Sequence, residues 1–428
     1  MALGGGTYTT QNKVLAGAYF QFVSLPRASA TLSERGVVGL GVDLNWGVDG
    51  TIFDVTATEF AKDSLRIFGY PYDAAELQGL RELFCHANKL HCFKLTSGGA
   101  KATCSYGTAK YAGTRGNDLK VVIAKNIDVT TKFDVKLYLG TIKVFEQTVT
   151  TADELSENGF VDWTTGATLT VTAGEAFKNG TDGTADATAH QNFLNKIESF
   201  PDTNVIAYTG DDETTKGLYV AFAKRMRDEI GIKLQAVVFN KAGDSIACVN
   251  VKNQLDLVPW VAGVVAGTEV NKSATNLLYD GELVVNTNYT QAQLEAAIKA
   301  GEFTLHQVGT DVRVLEDINS LVNTTEDEGE IFKDNQTVRV IDAIATSIAS
   351  VFATKYIGKV QNNASGRISL WADIVKVHQN LANINAIEEF EADDITVEMG
   401  ETKKSVIVTG AITVINTMTK LYMRTVVA

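Results

Sequence analysis

Apolar residues recur at three- and four-residue steps between Asn335 and Tyr356: Val338, Ile341, Ile344, Ile348, Val351 and Phe352. That period predicts an amphipathic helix, closed at Gly358 by a left-handed C-cap. After the polar turn Gln361 to Gly366, a second set (Ile368, Trp371, Ile374, Val375, Leu381, Ile384) predicts another helix, Gly366 to Asn385. Short strands follow. The final stretch, Lys420 to Val427, is apolar and β-prone with no turn or charged cap after it. It is expected to be a strand that pairs outside its own domain.

At the other end, Val14 to Leu25 is short and aromatic (Tyr19, Phe20, Phe22), is ended by Pro26 and has no neighbouring strand in sequence. It reads as a second extended arm. Gly36 to Leu44 is a buried-type strand. Asp54 to Tyr70 holds a helix or two, and Asp73 is a candidate N-cap for a helix reaching Ala87 with Leu77, Leu80, Leu83 and Phe84 as its stripe. Lys89 to Leu95 is a strand again. Beyond Ser97 the pattern changes to a period of two, with Phe133, Val135, Leu137 and Leu139 alternating with polar neighbours and Gly140 turning into Ile142 to Val149. Gly174 to Thr188 reads as the exit linker of this β-rich stretch. Asn204 to Tyr208, the helix Leu218 to Ile230 and Leu234 to Phe239 form a βαβ unit. Thr290 with Gln293 makes a capping box, and Phe303 to Val308 with Val312 to Leu315 a hairpin.

Together these elements predict an α+β / α/β multidomain chain with α/β core domains, an inserted β-rich domain and a C-terminal α+β domain. The boundaries expected are an arm at 1–30, an α/β part at 31–96 plus 190–315, an inserted β-domain at 97–189, a C-terminal domain at 316–417 and an arm at 418–428. The 428 residues provide for about three domains.

Composition narrows the functions. A formal charge of −13 repels a phosphate backbone, which argues against direct nucleic-acid binding. The longest apolar run, Val258 to Gly267, falls short of a bilayer span, and the start lacks the pattern of a signal peptide. Synthesis and assembly in the cytoplasm, without membrane insertion, are expected.

Chemistry is sparse. The turn Gly210 to Gly217 of the βαβ unit lacks both phosphate-loop patterns, and its carboxylates oppose phosphate at the helix N-terminus. Cys85, His86, His91 and Cys92 cluster in sequence but without zinc-ligand spacing; the reading is two buried cysteines and two partly exposed histidines. His190, His306 and His378 stand alone, with no nucleophile motif nearby. His378 is read as a helix-surface or interface residue. The run Glu326 to Glu330 lacks the calcium-loop alternation. No catalytic constellation, cofactor or metal site emerges, and the weight falls on a structural role. A nucleotide- or metal-dependent enzyme is the alternative from another class.

Several stretches carry a resemblance. They are Met1 to Tyr8, Phe22 to Ala28, Lys62 to Leu65, Phe68 to Pro71, Tyr111 to Leu119, Asn335 to Val340, Tyr356 to Val360, Gly366-Arg367 and Leu421 to Met423. In order and spacing the chain resembles the tail sheath proteins of contractile phages and phage-tail-like particles, of the type found in Gram-positive Clostridium and Bacillus. The resemblance covers essentially the whole length, and no single motif in it is chemically diagnostic.

The resemblance implies a subunit that stacks as hexameric rings around an inner tail tube and contracts to drive the tube through a bacterial envelope. Its partners would be itself, the inner tube protein, and baseplate and tail terminator proteins. Another structural tail or baseplate component is the alternative within the same machine. The C-terminal domain would lie innermost and the β-insertion outside. The linking arms would use Val14, Tyr19, Phe20 and Phe22 at one end and Leu421, Tyr422, Met423 and Val426 at the other. A neighbour's strand edge around Ile395, Val397, Val406 and Val408 would receive them. Arg367, Asp373 and Lys376 on the second C-terminal helix would face the tube.

Overall fold

The computed structural model describes residues 35–427. The first part contains strand β1 (Val37–Val42), β2 (Ile52–Thr56), helix α1 (Ala57–Phe68), α2 (Gln78–Phe84) and β3 (Lys89–Lys94). A β-rich run follows: β4 (Lys101–Cys104), β5 (Gly107–Ala112), β6 (Leu119–Lys125), β7 (Phe133–Leu139), β8 (Ile142–Val149), β9 (Val161–Trp163) and β10 (Thr172–Ala176). Next come α3 (Ala187–Ile197), β11 (Val205–Ala207), α4 (Glu213–Arg225), β12 (Gln235–Phe239), β13 (Cys248–Val251), α5 (Val258–Gly267) and α6 (Gln291–Lys299). The chain continues with β14 (Glu302–Phe303), β15 (Leu305–Val308), β16 (Asp311–Val314), α7 (Asn335–Val351), α8 (Ala364–Asn383), β17 (Thr396–Met399) and β18 (Val406–Thr409). The result is a mixed α+β chain with several sheets.

The largest sheet has the order β14-β13-β12-β11-β1-β3-β2, parallel except for the edge strand β2. Its strands are drawn from both sides of the β-rich run. A parallel sheet is covered on both faces, and side chains alternate between two cores. Val38, Leu40, Val205, Ala207, Val237, Val249 and Val251 join residues of α1, α2 and α5. Ile206, Ala236, Val238 and Cys248 join α3 and α4. Gly39 lies under α3: a Cβ there would stand 3.1 Å from Ile197.

Helix α5 is buried all round, from Val258 to Ala266. Its glycines let it touch the backbone of the α2 segment. A Cβ on Gly263 would lie 2.3 Å from the Leu83 carbonyl oxygen, and one on Gly267 2.0 Å from that of His86. Burying Val258, Trp260, Val261, Val264 and Val265 stabilises this layer by about 1.5–3 kcal/mol per side chain before entropy is subtracted.

The β-rich run forms a four-stranded sheet β10-β6-β7-β8 and a three-stranded sheet β4-β5-β9 around a core of their own. Val135, Leu137 and Leu139 of β7 point inward as their alternation predicts, and Gly140 takes the left-handed φ of 61° that the β7–β8 turn needs.

Some elements differ from the sequence reading. Asp54 lies in a strand, because β2 pairs antiparallel with β3 before α1 begins. Thr56, not an upstream acid, closes α1 with Glu59 in a capping box. The helix expected from Asp73 begins as a 3-10 turn at Ala75 and has no side-chain cap. Phe303 leaves the expected hairpin to pair with β13, and only Leu305–Val308 and Asp311–Val314 form it. The capping box at Thr290 and Gln293 is present.

Candidate assembly interface

Helix α7 is organised differently from a simple amphipathic stripe. Its first half is buried on every side: Asn335, Gln336, Thr337, Val338, Arg339, Val340, Asp342 and Ala343 are all inside. The apolar positions Ile341, Ile344 and Ile348 are only partly buried. The helix has the length and hydropathy of a membrane span, yet its polar residues are held by the surrounding protein.

Asp334 caps it by accepting from the backbone N–H of Gln336 at 2.6 Å. Arg339 Nη2 donates to Asp317 Oδ2 at 2.6 Å and to the Lys272 carbonyl at 2.8 Å. Arg227 grips Asp342 with two nitrogens, at 2.9 and 2.6 Å. Asn335 Nδ2 donates to Asp317, and Gln235 Nε2 donates to Asn335. Burial alone would push the Asp317 carboxyl up, but the Arg339 charge and the N–H donors around it hold it below the usual carboxylate range. Nearby, burial and the Arg339 charge pull Arg35 down to about 10. Arg339 Nε and Nη1 and Arg35 Nε are buried without acceptors. Two-point pairs such as Arg227–Asp342 are geometrically selective, so this polar seam fixes α7 against the large sheet in one arrangement.

Gln336 also fastens the far end of the chain. Its amide donates to the Ile415 carbonyl at 3.0 Å and accepts from Thr417 N–H at 3.0 Å. Asn416 Nδ2 donates to Thr337 Oγ1 at 3.2 Å. Beyond that clasp the chain is free of its own fold. Leu421 and Tyr422 are each 89% exposed, and Met423 and Val426 each 81%. No strand pairing involves residues 418–427. Val14, Tyr19, Phe20 and Phe22 lie outside the described residues.

The edge proposed to receive an arm is a two-stranded hairpin. β17 and β18 pair antiparallel, Val397 opposite Val408 and Met399 opposite Val406. Among the described residues neither strand has a second neighbour. Val397 and Val406 pack partly against the core beside α8, while Val408 is exposed. Ile395 precedes the strand and is buried, so it anchors the hairpin instead of offering an edge. Trp371 Nε1 donates to its carbonyl at 2.8 Å.

On α8, Lys376 is exposed. Asp373 is not a free surface carboxylate: it accepts from Lys355 Nζ and Tyr356 Oη, tying α8 to the end of α7. Arg367 turns back to the Asn362 side-chain oxygen at 3.1 Å. Ile368, placed on the apolar stripe by its spacing, is 63% exposed. His378 is buried, its Nδ1 2.9 Å from the Ile374 carbonyl, where an interface or surface position was expected.

The four-residue Cys/His cluster disperses. Cys85 is exposed and Cys92 buried, and burial and nearby carboxylates push the Cys85 thiol up to about 11. His86 meets Asp280 at 3.1 Å. His91 is fully buried between Asp54 at 2.6 Å and Asp202 at 3.0 Å. The expectation of two buried cysteines and two partly exposed histidines therefore fails for Cys85 and His91, because β3 turns His91 inward against Phe200. Among the described residues no three His, Cys, Asp or Glu side chains gather as a metal group.

In the turn before α4, Asp212 accepts from Thr215 N–H at 2.7 Å. Buried Lys216 meets Asp211 at 2.6 Å and Glu213 at 2.8 Å. A crevice of about 230 Å³ at the ends of β1 and β11 is walled by Glu76, Glu82 and Asp256, an acidic lining that disfavours phosphate.

Comparison with known proteins extends this geometry. The family models described as phage tail sheath protein beta-sandwich domain, phage tail sheath protein central domain and phage tail sheath C-terminal domain match residues 97–182, 183–320 and 327–428. The phage-like element PBSX protein XkdK of Bacillus subtilis is 30% identical, covering 98% of this chain and 99% of its own. The crystal structure of a sheath tail protein from Desulfitobacterium hafniense has a TM-score of 0.79 at 33% identity, covering 93% of this chain and all of that one (100%). The helical sheath of the anti-feeding prophage in its contracted state is similar in fold alone, with a TM-score of 0.57 at 11% identity over 97% of this chain and 99% of that one.

Proposed function

The chain belongs to the phage tail sheath family, and from that premise we propose that it is the structural subunit of a contractile tail sheath. In this reading subunits polymerise as stacked hexameric rings around an inner tail tube and contract to drive the tube through a bacterial envelope. They assemble in the host cytoplasm and reside in the tail of a virion or tail-like particle. Partners are further copies, the tube protein, and baseplate and terminator proteins, and no cofactor is required. Residues 316–417 form the inner, tube-facing domain and 97–189 the outer one.

The observation that carries the proposal is the pairing of an unpartnered tail with an unpartnered hairpin. Residues 418–427 carry apolar side chains into solvent just beyond the Gln336 clasp, and β17–β18 has open strand edges. A neighbour's tail that adds to such an edge gains main-chain hydrogen bonds and buries those side chains. Contacts between two different surfaces do not close on themselves, so they extend into helical tubes. Arms of this kind bend at their roots while each core moves as a rigid body.

The test is deletion of Leu421 to Ala428. The shortened protein is expected to remain folded and soluble and to form no tubes in negative-stain micrographs. Tubes of normal length from the deletion would overturn the tail's role. Tubes from the full chain by itself distinguish a sheath subunit from a baseplate or terminator component.

A further inference from the structure

A cleft of about 930 Å³ opens between the start of β1 and the outer half of α7, lined among others by Arg35, Asn88, Asn204, Ile232, Thr346 and Ala349. We propose that Ser29 to Glu34 of this same chain seats in this cleft and forms the rigid root of the N-terminal arm. The claim concerns the single subunit and stands or falls apart from the sheath reading.

Chain continuity is the first argument. Asn204 Oδ1 accepts from Gly36 N–H at 2.9 Å and Val37 N–H at 3.0 Å. The Gly36 carbonyl accepts from Asn88 and Lys89 N–H at 2.8 and 3.1 Å. Asn88 Nδ2 donates to the Arg35 carbonyl at 3.1 Å. Residues 35–37 are thus pinned between two side chains of the cleft wall, and the preceding residue leaves at its mouth.

Length and shape agree. The wall contributed by α7 and the turn after it runs from Asp342 to Ala353, about 17 Å at 1.5 Å per residue. Five or six extended residues at ~3.3 Å each cover that distance. The charges of Arg339 and Asp342 act on Arg35, so the segment starts at the Asp342 end and runs toward Ala353. The wall presents Ala343, Thr346, Ala349, Ser350 and Ala353, short side chains that let a backbone approach. The segment Ser29-Ala30-Thr31-Leu32-Ser33-Glu34 is itself mostly short. Arg35 Nε is buried with no acceptor, and a carbonyl of the incoming chain supplies one. A seat of this kind moves the arm's pivot from residue 35 to residue 28.

The test uses the full chain with Cys85→Ser and paired substitutions Thr31→Cys and Ala349→Cys, oxidised at low protein concentration. A disulfide within one chain, mapped by mass spectrometry, is expected. The control pair Thr10→Cys and Ala349→Cys is expected to stay reduced. A disulfide-linked dimer would assign the cleft to a neighbour's segment and overturn the proposal, as would no disulfide at all. Hydrogen exchange gives a second readout that needs no cysteines. Replacing Ser29 to Glu34 by glycine and serine is expected to speed exchange tenfold or more in peptides spanning Thr346 to Ala353, and unchanged protection there would overturn the proposal.

Discussion

Asp317→Asn tests whether the polar seam holds α7 in place. Asp317 is 1% exposed. It accepts from Arg339 Nη2 at 2.6 Å, Ala274 N–H at 2.8 Å and Asn335 Nδ2 at 3.1 Å. Asparagine keeps the shape but brings an amide NH₂ against a ring of donors and removes the charge that balances Arg339. That guanidinium already has two nitrogens without acceptors. Breaking a buried pair by removing one partner costs about 3–5 kcal/mol, while replacing both partners by apolar residues is often close to neutral. Urea denaturation of Asp317→Asn, Arg339→Met and the double variant Asp317→Leu/Arg339→Met is therefore expected to show strong coupling. The double variant should be more stable than the sum of the single losses allows. Because a chain with several cores need not unfold in one step, the transition to follow is that of α7, read by hydrogen exchange along the denaturant series.

The pH dependence has a fixed sign. The folded carboxyl sits below the unfolded value of about 3.9, so its contribution is complete above that value and is lost as pH falls through the depressed folded pKa. The gap between wild type and Asp317→Asn should therefore close on acidification below about pH 4. A single-variant loss under about 1 kcal/mol at pH 7, or strictly additive losses, would refute the reasoning.

Two further perturbations separate packing from assembly. Gly263→Ala places a Cβ 2.3 Å from the Leu83 carbonyl oxygen. Thermal and urea melts should show a loss of about 1–3 kcal/mol from overpacking, larger than the roughly 1 kcal/mol helix-propensity gain; a stabilised variant would show that α5 can shift away from α2. Lys376→Glu, on the exposed face of α8, should leave stability within about 0.5 kcal/mol and weaken co-sedimentation with tube protein. Asp373→Lys should lower stability first, because it breaks the contacts with Lys355 and Tyr356. Equal behaviour of the two variants in both assays would contradict the assignment of α8 to the tube.

How much was legible in the sequence depends on how local the cause is. The parallel strands, the β7–β8 turn at Gly140 and the capping box at Thr290 follow from period, glycine placement and neighbours three residues away, and all are present. Asp54 was misread because β2 exists only through its pairing with β3. The seam was also hidden. Asn335, Gln336, Arg339 and Asp342 look like the solvent side of an amphipathic helix, and only the approach of Asp317, Arg227 and Ile415 from distant parts of the chain buries them. One sign was present: four polar residues of high hydrogen-bonding capacity within the first eight of an otherwise apolar helix, a density that a buried helix end tolerates when partners surround it.

The end of the chain divides in the same way. By itself the sequence determined that Lys420 to Val427 is an apolar, extended stretch with no partner nearby, since pattern and propensity are properties of the segment. Only the tertiary structure decided where it becomes free. Gln336 and Thr337 hold Ile415, Asn416 and Thr417, and the exposed run begins at Met418. That boundary rests on hydrogen bonds between residues about eighty positions apart, and no local pattern encodes a contact of that range.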